Sequence, residues 1–490
     1  MTHLRVAILQ TPAPGVRGET AAWAACLQRI DDAARDEPDL IVLPEAAASP
    51  WFFGGRASLP EVREEDVLSA LSGRAQQHRV HIAAGLVMGR PYAPQNAAVL
   101  FSLQGDEVAR TTEVEPGSWF RPGRGPVQAN ILGIPTTLAA GTDLLDPLCI
   151  DAIVEGNTQL IISTGAPRAW VRDGAVVADD TSYAMAARAI ESGAWLISAG
   201  RAGVEAGIVS YAGGAGMIGA DGNWAVRAPA DRPGIVLHAM EVQRATPRLS
   251  SVPGDFSTPP EPAAGGNAHV AALSLDPSPS AVDLMESVRS AVRAAAVLGV
   301  RLVVLPDLTG ADPRAITQAE TLPLLETLTA EVGIALVVSL AERADGRLFR
   351  STSLVEAGRR IVTHRQTALS RQDMAAGFTA GPTAPPVVST ATAGAVGLLG
   401  GLEGATPGAS LLLRRQGAQM IAWSTGEPGF NVEAVARTRA REQSMPVVTA
   451  AAASPGASIV DAGGALLAAV NGSGRVAHAI VRREPTGLPS

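Results

Sequence analysis

The sequence predicts an α/β protein built as two tandem domains of one plan, and three observations support this prediction. The chain has 490 residues, more than a single hydrophobic core normally organises. Short apolar runs alternate with helical stretches along the whole chain, as in layered α/β domains. The order of these segments then returns about 260 residues later.

The first copy opens with elements that alternate between strand and helix. LRVAILQT is an apolar strand, and a helix follows from about Glu19 to Arg35. DLIVLPE is a buried strand that ends at Glu45, a helix covers about Glu64 to His78, and RVHIAAGLVM is the next strand. NAAVLFSLQGDEVART has the pattern of a hairpin, with Gly105-Asp106 at its turn.

The rest of the first copy completes the alternation. Residues 136–143, TTLAAGTD, form an apolar strand that runs into a tight turn, and a helix is expected to about Glu155. TQLIISTGAP is a strand, and SYAMAARAIESGAWLISAGRAG is a helix followed by a strand. GGAGMIGADGNWAVRA is a hairpin around Asp221-Gly222.

The second copy repeats the segments of the first in the same order. VRLVVLPD corresponds to PDLIVLPE, and GAQMIAWSTGEP corresponds to NTQLIISTGAP. The shift is 262 residues from Glu45 to Asp307 and 260 residues from Gly141 to Gly401, which indicates duplication of a whole domain. Residues 246–267 between the copies are rich in Pro, Gly and Ser, which favours an exposed linker. We therefore predict domains over residues 1–245 and 268–485.

The composition excludes several classes of function. The net charge is −8 and no basic run is present, so nucleic acid is not an expected partner. No apolar run reaches the roughly 18 residues of a membrane helix, and the N-terminal segment lacks the layout of a signal peptide. We therefore expect a soluble, cytoplasmic protein with no membrane contact and no cofactor.

Candidate thiol and metal-binding residues are few. Cys26 and Cys149 are expected to be small core residues, and the pair His78 and His81 lacks a third ligand, so no metal site is expected. All 39 basic residues are arginine. Two explanations stay open for this, a coding bias and avoidance of a lysine-directed modification. In either case no mechanism that needs a lysine ammonium is available within the chain.

Each copy resembles the carbon–nitrogen hydrolase, or nitrilase, superfamily. The resemblance rests on the order and spacing of LIVLPE, the hairpin that leads to ART and WFRPG, TLAAGTD before a helix, and RAIESGAWLISAGRAG before a glycine-rich hairpin. It implies a four-layer α-β-β-α sandwich in each copy. Members of the family usually pair so that the layers continue across a dimer. The resemblance therefore implies that the two fused copies pack as an intramolecular pseudo-dimer.

The resemblance also implies a catalytic triad of glutamate, lysine and cysteine, with the residues acting as general base, oxyanion stabiliser and nucleophile. In the first copy the glutamate position is Glu45, and Asp143 keeps a neighbouring acid. Thr111 stands at the lysine position and Gly141 at the cysteine position. A glycine has no side chain with which to attack a substrate.

The second copy departs further from the triad. Asp307 replaces the glutamate, Gln366 stands at the lysine position and Gly401 at the nucleophile. Leu402 follows Gly401, so no hydroxyl is available beside it, whereas Thr142 follows Gly141 in the first copy. No catalytic residue of the family's kind is therefore expected in either copy.

Three functions stay open on this reading. The first is a pseudoenzyme that acts as a scaffold, regulatory or partner-binding subunit, either with another protein such as an active enzyme or as a homo-oligomer. The second is a protein that binds or senses a small polar amide or carboxylate. The third is an unconventional amidohydrolase or transferase that acts on a C–N bond. Residues predicted to line a binding pocket are Glu45, Trp51, Trp119, Asp143 and Arg168.

Overall fold

The computed structural model divides the chain into two compact units, Met1–Pro247 and Arg248–Ser490. The residues that it describes are 2–13, 19–51, 62–90, 93–116, 120–172, 175–178, 181–205, 207, 209–242, 263–275, 281–309, 317–426, 429–451 and 456–486. Most of the predicted linker lies outside these ranges. Its last residues are structured, since Ala263 forms a bridge with Thr486 and a strand begins at Gly266.

The first unit consists of strands and four helices in an α/β order. Its helices are α1 (Glu19–Ala34), α2 (Glu64–His78), α3 (Cys149–Glu155) and α4 (Ser182–Ser192). Its strands are β1 (Thr2–Pro12), β2 (Leu40–Leu43), β3 (His81–Arg90), β4 (Ala93–Phe101), β5 (Glu107–Thr112), β6 (Val127–Ile131), β7 (Ile134–Ala139), β8 (Leu160–Ser163), β9 (Arg168–Arg172), β10 (Ala175–Ala178), β11 (Trp195–Ser198), β12 (Gly200–Glu205), β13 (Val209–Ala212), β14 (Gly216–Ile218), β15 (Trp224–Arg227) and β16 (Gly234–Val242). These are the helices and strands of the described ranges.

Two sheets lie face to face in the first unit. One has the order β10-β9-β13-β12-β1-β2-β3-β4-β5, with β16 also paired to β1, and the other has the order β15-β14-β11-β8-β7-β6. Apolar side chains from both sheets, such as Ile8 and Leu138, form the core between them. The helices α1 and α2 bury residues such as Trp23 and Leu71 on the outer face of the first sheet, and α3 and α4 pack on the second.

The second unit repeats this plan. Its helices are α5 (Ala281–Val297), α6 (Gln318–Val332), α7 (Arg371–Ala375), α8 (Pro407–Arg415) and α9 (Val432–Gln443). Its strands are β17 (Gly266–Ser274), β18 (Leu302–Asp307), β19 (Ala335–Ala344), β20 (Arg347–Glu356), β21 (Arg359–Arg365), β22 (Val387–Thr390), β23 (Gly394–Gly400), β24 (Met420–Thr425), β25 (Val447–Ala451), β26 (Ala457–Val460), β27 (Leu466–Val470) and β28 (Arg475–Arg483).

The sheets of the second unit have the orders β21-β20-β19-β18-β17-β28 and β22-β23-β24-β25-β26-β27. One apolar core lies between the sheets, and a second lies under α5 and α6. The helices α8 and α9 pack against the other sheet. The predicted four-layer α-β-β-α sandwich is thus confirmed in each unit, while the pairing of the two copies stays a prediction.

Two local features differ from the elements that the sequence predicts. The helix expected before Glu155 is split into a 3-10 turn, Asp143–Leu145, and the short α3. Pro147 lies between them, and a proline lacks the N–H that a continuous helix needs. The hairpin of β9 and β10 was not predicted. Within the described ranges no helix has the length and apolar character needed to cross a membrane.

Candidate functional site

The candidate site of the first unit lies where several strands end at one edge. Glu45 follows β2, Glu113 follows β5, Gly141 follows β7 and Arg168 follows β8. Pairing of β2, β3, β4 and β5 places Glu45 and Glu113 at the same end of the first sheet, whereas β7 and β8 belong to the second sheet. The strand ends of the two facing sheets meet here, since Glu45 accepts hydrogen bonds from Ala166 and Arg168. The site therefore lies at the position at which an α/β sheet commonly presents functional side chains.

Glu45 is the centre of this site. It is only 2% exposed. Its carboxylate accepts hydrogen bonds from the Asn96 amide at 3.0 Å, the Ala166 N–H at 3.1 Å and the Arg168 guanidinium at 2.8 Å. Gly85 on β3 permits this position, because a Cβ there would lie closer than 3.0 Å to the Glu45 backbone. Glu45 is thus paired with a cation inside the protein.

The nucleophile position predicted at Gly141 has no room for a side chain. Gly141 has a φ of +49°, in the left-handed region. A Cβ at this position would lie closer than 3.0 Å to the Glu113 carboxylate and to the Asn96 amide, a separation that real Cβ atoms essentially never show. The space that a cysteine would need is therefore occupied by Glu113.

Glu113 is held by three hydrogen bonds. Its carboxylate accepts from the Asn96 amide at 2.6 Å, from the Thr142 N–H at 2.7 Å and from the Thr142 hydroxyl at 2.5 Å. Burial, and then the neighbouring charge of Glu45, raises the pKa of Glu113. We call the contact between Glu113 and Thr142 the crossing contact of the first unit, since it joins the residue after β5 to the turn after β7.

Asp143 is buried behind the turn and does not line the cavity described below. It is 5% exposed, and it accepts a hydrogen bond from the Val114 N–H at 2.8 Å. Its second carboxylate oxygen has no hydrogen-bond partner in the described part of the chain. Burial is the main cause that raises the pKa of Asp143 to about 7.

We expect Asp143→Asn to change how stability depends on pH. Burial raises the Asp143 pKa from 3.8 to about 7, so the native state binds a proton that the unfolded state releases. The free energy of unfolding of the wild type should therefore fall between about pH 4 and about pH 7, by up to about 4 kcal/mol from this group. The asparagine variant lacks this decline. Urea unfolding at about pH 5 and about pH 8 measures the difference.

The exposed Asp106→Asn is the matched control for this pH effect and should leave the slope unchanged. A wild-type protein that unfolds with the same pH slope as Asp143→Asn would contradict the prediction, because Asp143 would then titrate alike in the folded and unfolded states.

An arginine and two aromatic rings stand beside Glu45. The Arg168 guanidinium lies 3.7 Å from the centre of the Trp51 ring, and Trp51 stacks on Phe120 with centroids 4.7 Å apart. Trp119 lies outside the described residues. Beside this group is a cavity of about 80 Å³. Its lining consists of Glu45, Gly141, Thr142, Leu144, Leu145, Gly165, Ala166, Pro167, Arg168, Thr181 and Met185.

The strand register corrects one correspondence between the two copies. Glu113 donates its N–H to the Asn96 carbonyl at 2.9 Å, and Gln366 donates its N–H to the Arg350 carbonyl at 2.8 Å. Counting through the paired strands from Glu45 and Asp307 gives the same match. Gln366 therefore corresponds to Glu113, and Arg350 to Asn96.

The prediction that Thr111 and Gln366 occupy equivalent positions is accordingly wrong. Thr111 lies opposite Ala98, and its counterpart His364 lies opposite Thr352. The Thr111 hydroxyl donates to the Gly125 carbonyl, a local backbone contact.

The second unit fills its equivalent site with an internal cation. Asp307, at the glutamate position, accepts a hydrogen bond from Arg350 at 2.5 Å. The same guanidinium donates to Asp373 on α7 and lies 4.8 Å from the centre of the Phe378 ring. The carboxylates of Asp307 and Asp373 raise the pKa of Arg350 against the opposing effect of burial. Arg350 is thus a partly buried cation shared by two buried acids.

Gly401, at the second nucleophile position, is also blocked. Its φ is +48°, and a Cβ there would lie 2.6 Å from the Gln366 side-chain oxygen. The following acid, Glu403, accepts from the His364 ring at 2.8 Å, from the Thr367 N–H at 2.8 Å and from the Thr367 hydroxyl at 3.0 Å. By the same register Thr367 corresponds to Val114, and its N–H bond to Glu403 repeats the bond from the Val114 N–H to Asp143. The second unit has no counterpart of the crossing contact, because Gln366 replaces Glu113 and Leu402 replaces Thr142.

The structure brings together only some of the predicted pocket residues. Glu45 and Arg168 line the cavity, and Trp51 adjoins it through Arg168. Sequence reasoning missed Asn96, Glu113, Arg350 and Asp373. An acid directly after the second strand of the hairpin, at Glu113, was the available signal for one of them. In the described ranges no group of three or more His, Cys, Asp or Glu side chains is arranged to hold a metal ion.

Comparison with known proteins gives one family and several solved structures. The family model for carbon-nitrogen hydrolase matches residues 5–248 and 269–479. No curated protein sequence matches the chain. An amidase from Nesterenkonia sp. is 21% identical and covers 50% of this chain and 91% of its own, with a TM-score of 0.41. A mutant of the Nesterenkonia AN1 amidase from the nitrilase superfamily is 22% identical and covers 49% of this chain and 92% of its own, with a TM-score of 0.42.

Proposed function

The chain belongs to the carbon–nitrogen hydrolase family in both of its halves, and on that premise we propose that it is a tandem pseudoenzyme. It keeps two domains of the family and performs no cysteine-dependent hydrolysis in either. Its role is that of a scaffold, regulatory or partner-binding subunit, with a protein partner or with further copies of itself.

The observation that supports this proposal is the occupied space at both nucleophile positions. At Gly141 the space is filled by Glu113, and at Gly401 by Gln366. The loss therefore extends beyond one atom, since a restored cysteine would collide with a buried side chain. The acids at the two glutamate positions already have a cation as partner, because Glu45 pairs with Arg168 and Asp307 pairs with Arg350.

The two cysteines of the chain are no substitute for the missing nucleophile. Cys26 is buried in the core under α1, and burial raises its thiol pKa to about 12, so the reactive thiolate is scarce at neutral pH. Cys149 is buried at the start of α3. Attack on an amide carbonyl requires an exposed thiolate close to the substrate.

We expect no amide or nitrile hydrolysis by the purified full-length chain. Ammonia release from a panel of short amides and nitriles should equal that of buffer, in the wild type and in Glu45→Gln alike. Since the variant removes the only family triad residue that remains, any difference between the two proteins would contradict the proposal.

A stoichiometric partner that stays bound during purification from native cells supports a subunit role, whereas a lone, ligand-free monomer argues against it.

One contact favours a second candidate function, an unconventional amidohydrolase or transferase. The Thr142 hydroxyl lines the cavity and donates to the Glu113 carboxylate at 2.5 Å. Such a carboxylate could take the hydroxyl proton as Thr142 attacks a carbonyl carbon, and the proton would leave with the amine. Water would then release the acyl group. Thr142→Val keeps the shape of the side chain and removes its hydroxyl. Turnover that is present in the wild type and lost in this variant would establish the amidohydrolase or transferase function in place of the pseudoenzyme.

A further inference from the structure

The two sites differ in how they balance buried charge. In the second unit Arg350 serves both Asp307 and Asp373, and Glu403 has the His364 ring as a partner. At the site of the first unit the buried acids are Glu45, Glu113 and Asp143, and within the described ranges the only side-chain cation bound to any of these three is Arg168. The first site therefore carries an excess of buried acid groups that the second lacks.

The positive charge that the first site lacks corresponds to a single position in the sheet. The position that holds Arg350 in the second unit holds Asn96 in the first, as the strand register shows. The Asn96 amide lies between Glu45 and Glu113 and donates to both. Its amide oxygen, although Asn96 is fully buried, has no hydrogen-bond partner in the described part of the chain. The first site thus has a neutral group, and a spare acceptor, where the second has a built-in cation.

A cavity adjoins this cluster. The 80 Å³ cavity has Glu45, Thr142 and Thr181 among its polar lining, and Leu144, Leu145 and Met185 supply an apolar wall. Glu113 lies directly beneath Gly141, another lining residue, because a Cβ at 141 would touch its carboxylate. The lining of the cavity therefore combines a buried carboxylate with apolar side chains, within a volume that suits a ligand of a few heavy atoms.

We propose that this cavity binds a short aliphatic primary ammonium ion. The ammonium group donates to the Glu45 carboxylate and to the Thr142 hydroxyl oxygen, close to Glu113. The alkyl chain packs along Leu144, Leu145 and Met185. The inference rests on the proposed function in one respect, namely that the cavity binds a ligand and performs no hydrolysis.

The charges around the cavity favour an ammonium over a carboxylate ligand. Arg168 is the only cation among the lining residues, and it already donates to Glu45 and packs on Trp51. A ligand carboxylate would have to displace Glu45 and would then lie beside buried acids of the same sign. An ammonium ion instead brings a positive charge to Glu45 and close to Glu113, which have Arg168 as their one bound cation among the described residues.

The test uses three probes of matched size, n-propylammonium, propionate and propionamide, with the full-length chain at constant ionic strength. Calorimetric titration and thermal unfolding should show saturable binding of n-propylammonium and a higher melting temperature with it, but neither effect with propionate or propionamide. Tighter binding of propionate or propionamide, or no saturable binding of n-propylammonium by the folded protein, overturns the inference. Hydrolysis of propionamide would contradict the proposed function and leave the amine measurement valid.

Two variants locate the binding. Glu113→Gln removes one negative charge and should weaken n-propylammonium binding about tenfold, while the exposed Glu107→Gln on the same hairpin should leave it unchanged. Leu145 is a half-buried residue of the cavity lining, and Leu145→Trp should abolish binding because the larger side chain fills the cavity. This variant tests the location of the ligand independently if Glu113→Gln does not fold. Unchanged affinity in a folded Leu145→Trp protein would place the ligand elsewhere and overturn the inference.

Discussion

Gly141→Ala should destabilise the first unit by about 2 to 5 kcal/mol. Two costs add in this variant. An alanine in the left-handed region costs roughly 1 to 2 kcal/mol. Its Cβ must also displace the Glu113 carboxylate and the Asn96 amide, both of which are buried and hydrogen-bonded. Six of the seven tryptophans lie in residues 1–247, so the fluorescence change in urea mainly follows the first unit.

Gly133→Ala is the matched control for the backbone cost. Gly133 also has a positive φ, +85°, but no atom lies within 4 Å of the position that its Cβ would take. The free energy of unfolding of Gly133→Ala should therefore fall only by the backbone cost, about 1 to 2 kcal/mol. The double variant Gly141→Ala with Glu113→Ala should lose less than the sum of the two single variants, since the smaller side chain vacates the space. Equal losses for Gly141→Ala and Gly133→Ala would show that the nucleophile position is not blocked.

Arg350→Gln should destabilise the second unit by about 3 to 5 kcal/mol near neutral pH. The variant introduces a neutral amide like that of Asn96 in the first unit. It leaves Asp307 and Asp373 buried without a cation, and breaking a buried ion pair by removing one partner is costly.

The control for this variant is Arg293→Gln. Arg293 pairs with Glu331 through two hydrogen bonds of 3.0 Å, but both side chains are half exposed. An exposed pair of this kind contributes little to stability, because water screens its charges. Calorimetric unfolding of the full-length variants compares the two. A similar small loss in both proteins would mean that the acids around Arg350 do not depend on it for charge compensation.

Much of the fold could be predicted from the sequence because the buried strands are continuous apolar runs. The segments LIVLPE and LVVLPD both end in an acid at the sheet edge. The segments before and after them follow in the same order in both halves, which reveals the duplication. The helix Glu64–His78 was predicted to the residue, since its acidic first turn and apolar spacing are regular. The β9–β10 hairpin has no comparable pattern of polar and apolar residues.

The candidate site was less predictable for a physical reason. Thr111 and Glu113 are two residues apart on one extended segment, and side chains alternate with a period of two. A shift of two residues therefore keeps every side chain on its own face, and the polar pattern does not reveal it. The two hairpins also differ in length by one residue, because Asn96 and Glu113 are 17 residues apart whereas their counterparts Arg350 and Gln366 are 16 residues apart, so an alignment without a gap cannot match both strands.

The partners of the buried charges were beyond sequence reasoning for a second reason. Arg350 lies in mid-strand, and its role depends on Asp373, which is brought to it by the separate helix α7. Asn96 likewise joins Glu45 and Glu113, which are 51 and 17 residues away along the chain. Contacts of this range depend on the assembled sheet edge rather than on local pattern.

The crossing contact of the first unit restricts recombination between the two halves of the coding sequence, because the second unit has no counterpart of it. A crossover that carries the first hairpin into the second half would place Glu113 beside Glu403, with Thr367 removed and no hydroxyl to join them. The opposite transfer would place Thr367 beside Asp143, an acid facing a hydroxyl. We therefore expect the transfer of the second hairpin into the first half to destabilise the protein less than the reverse transfer.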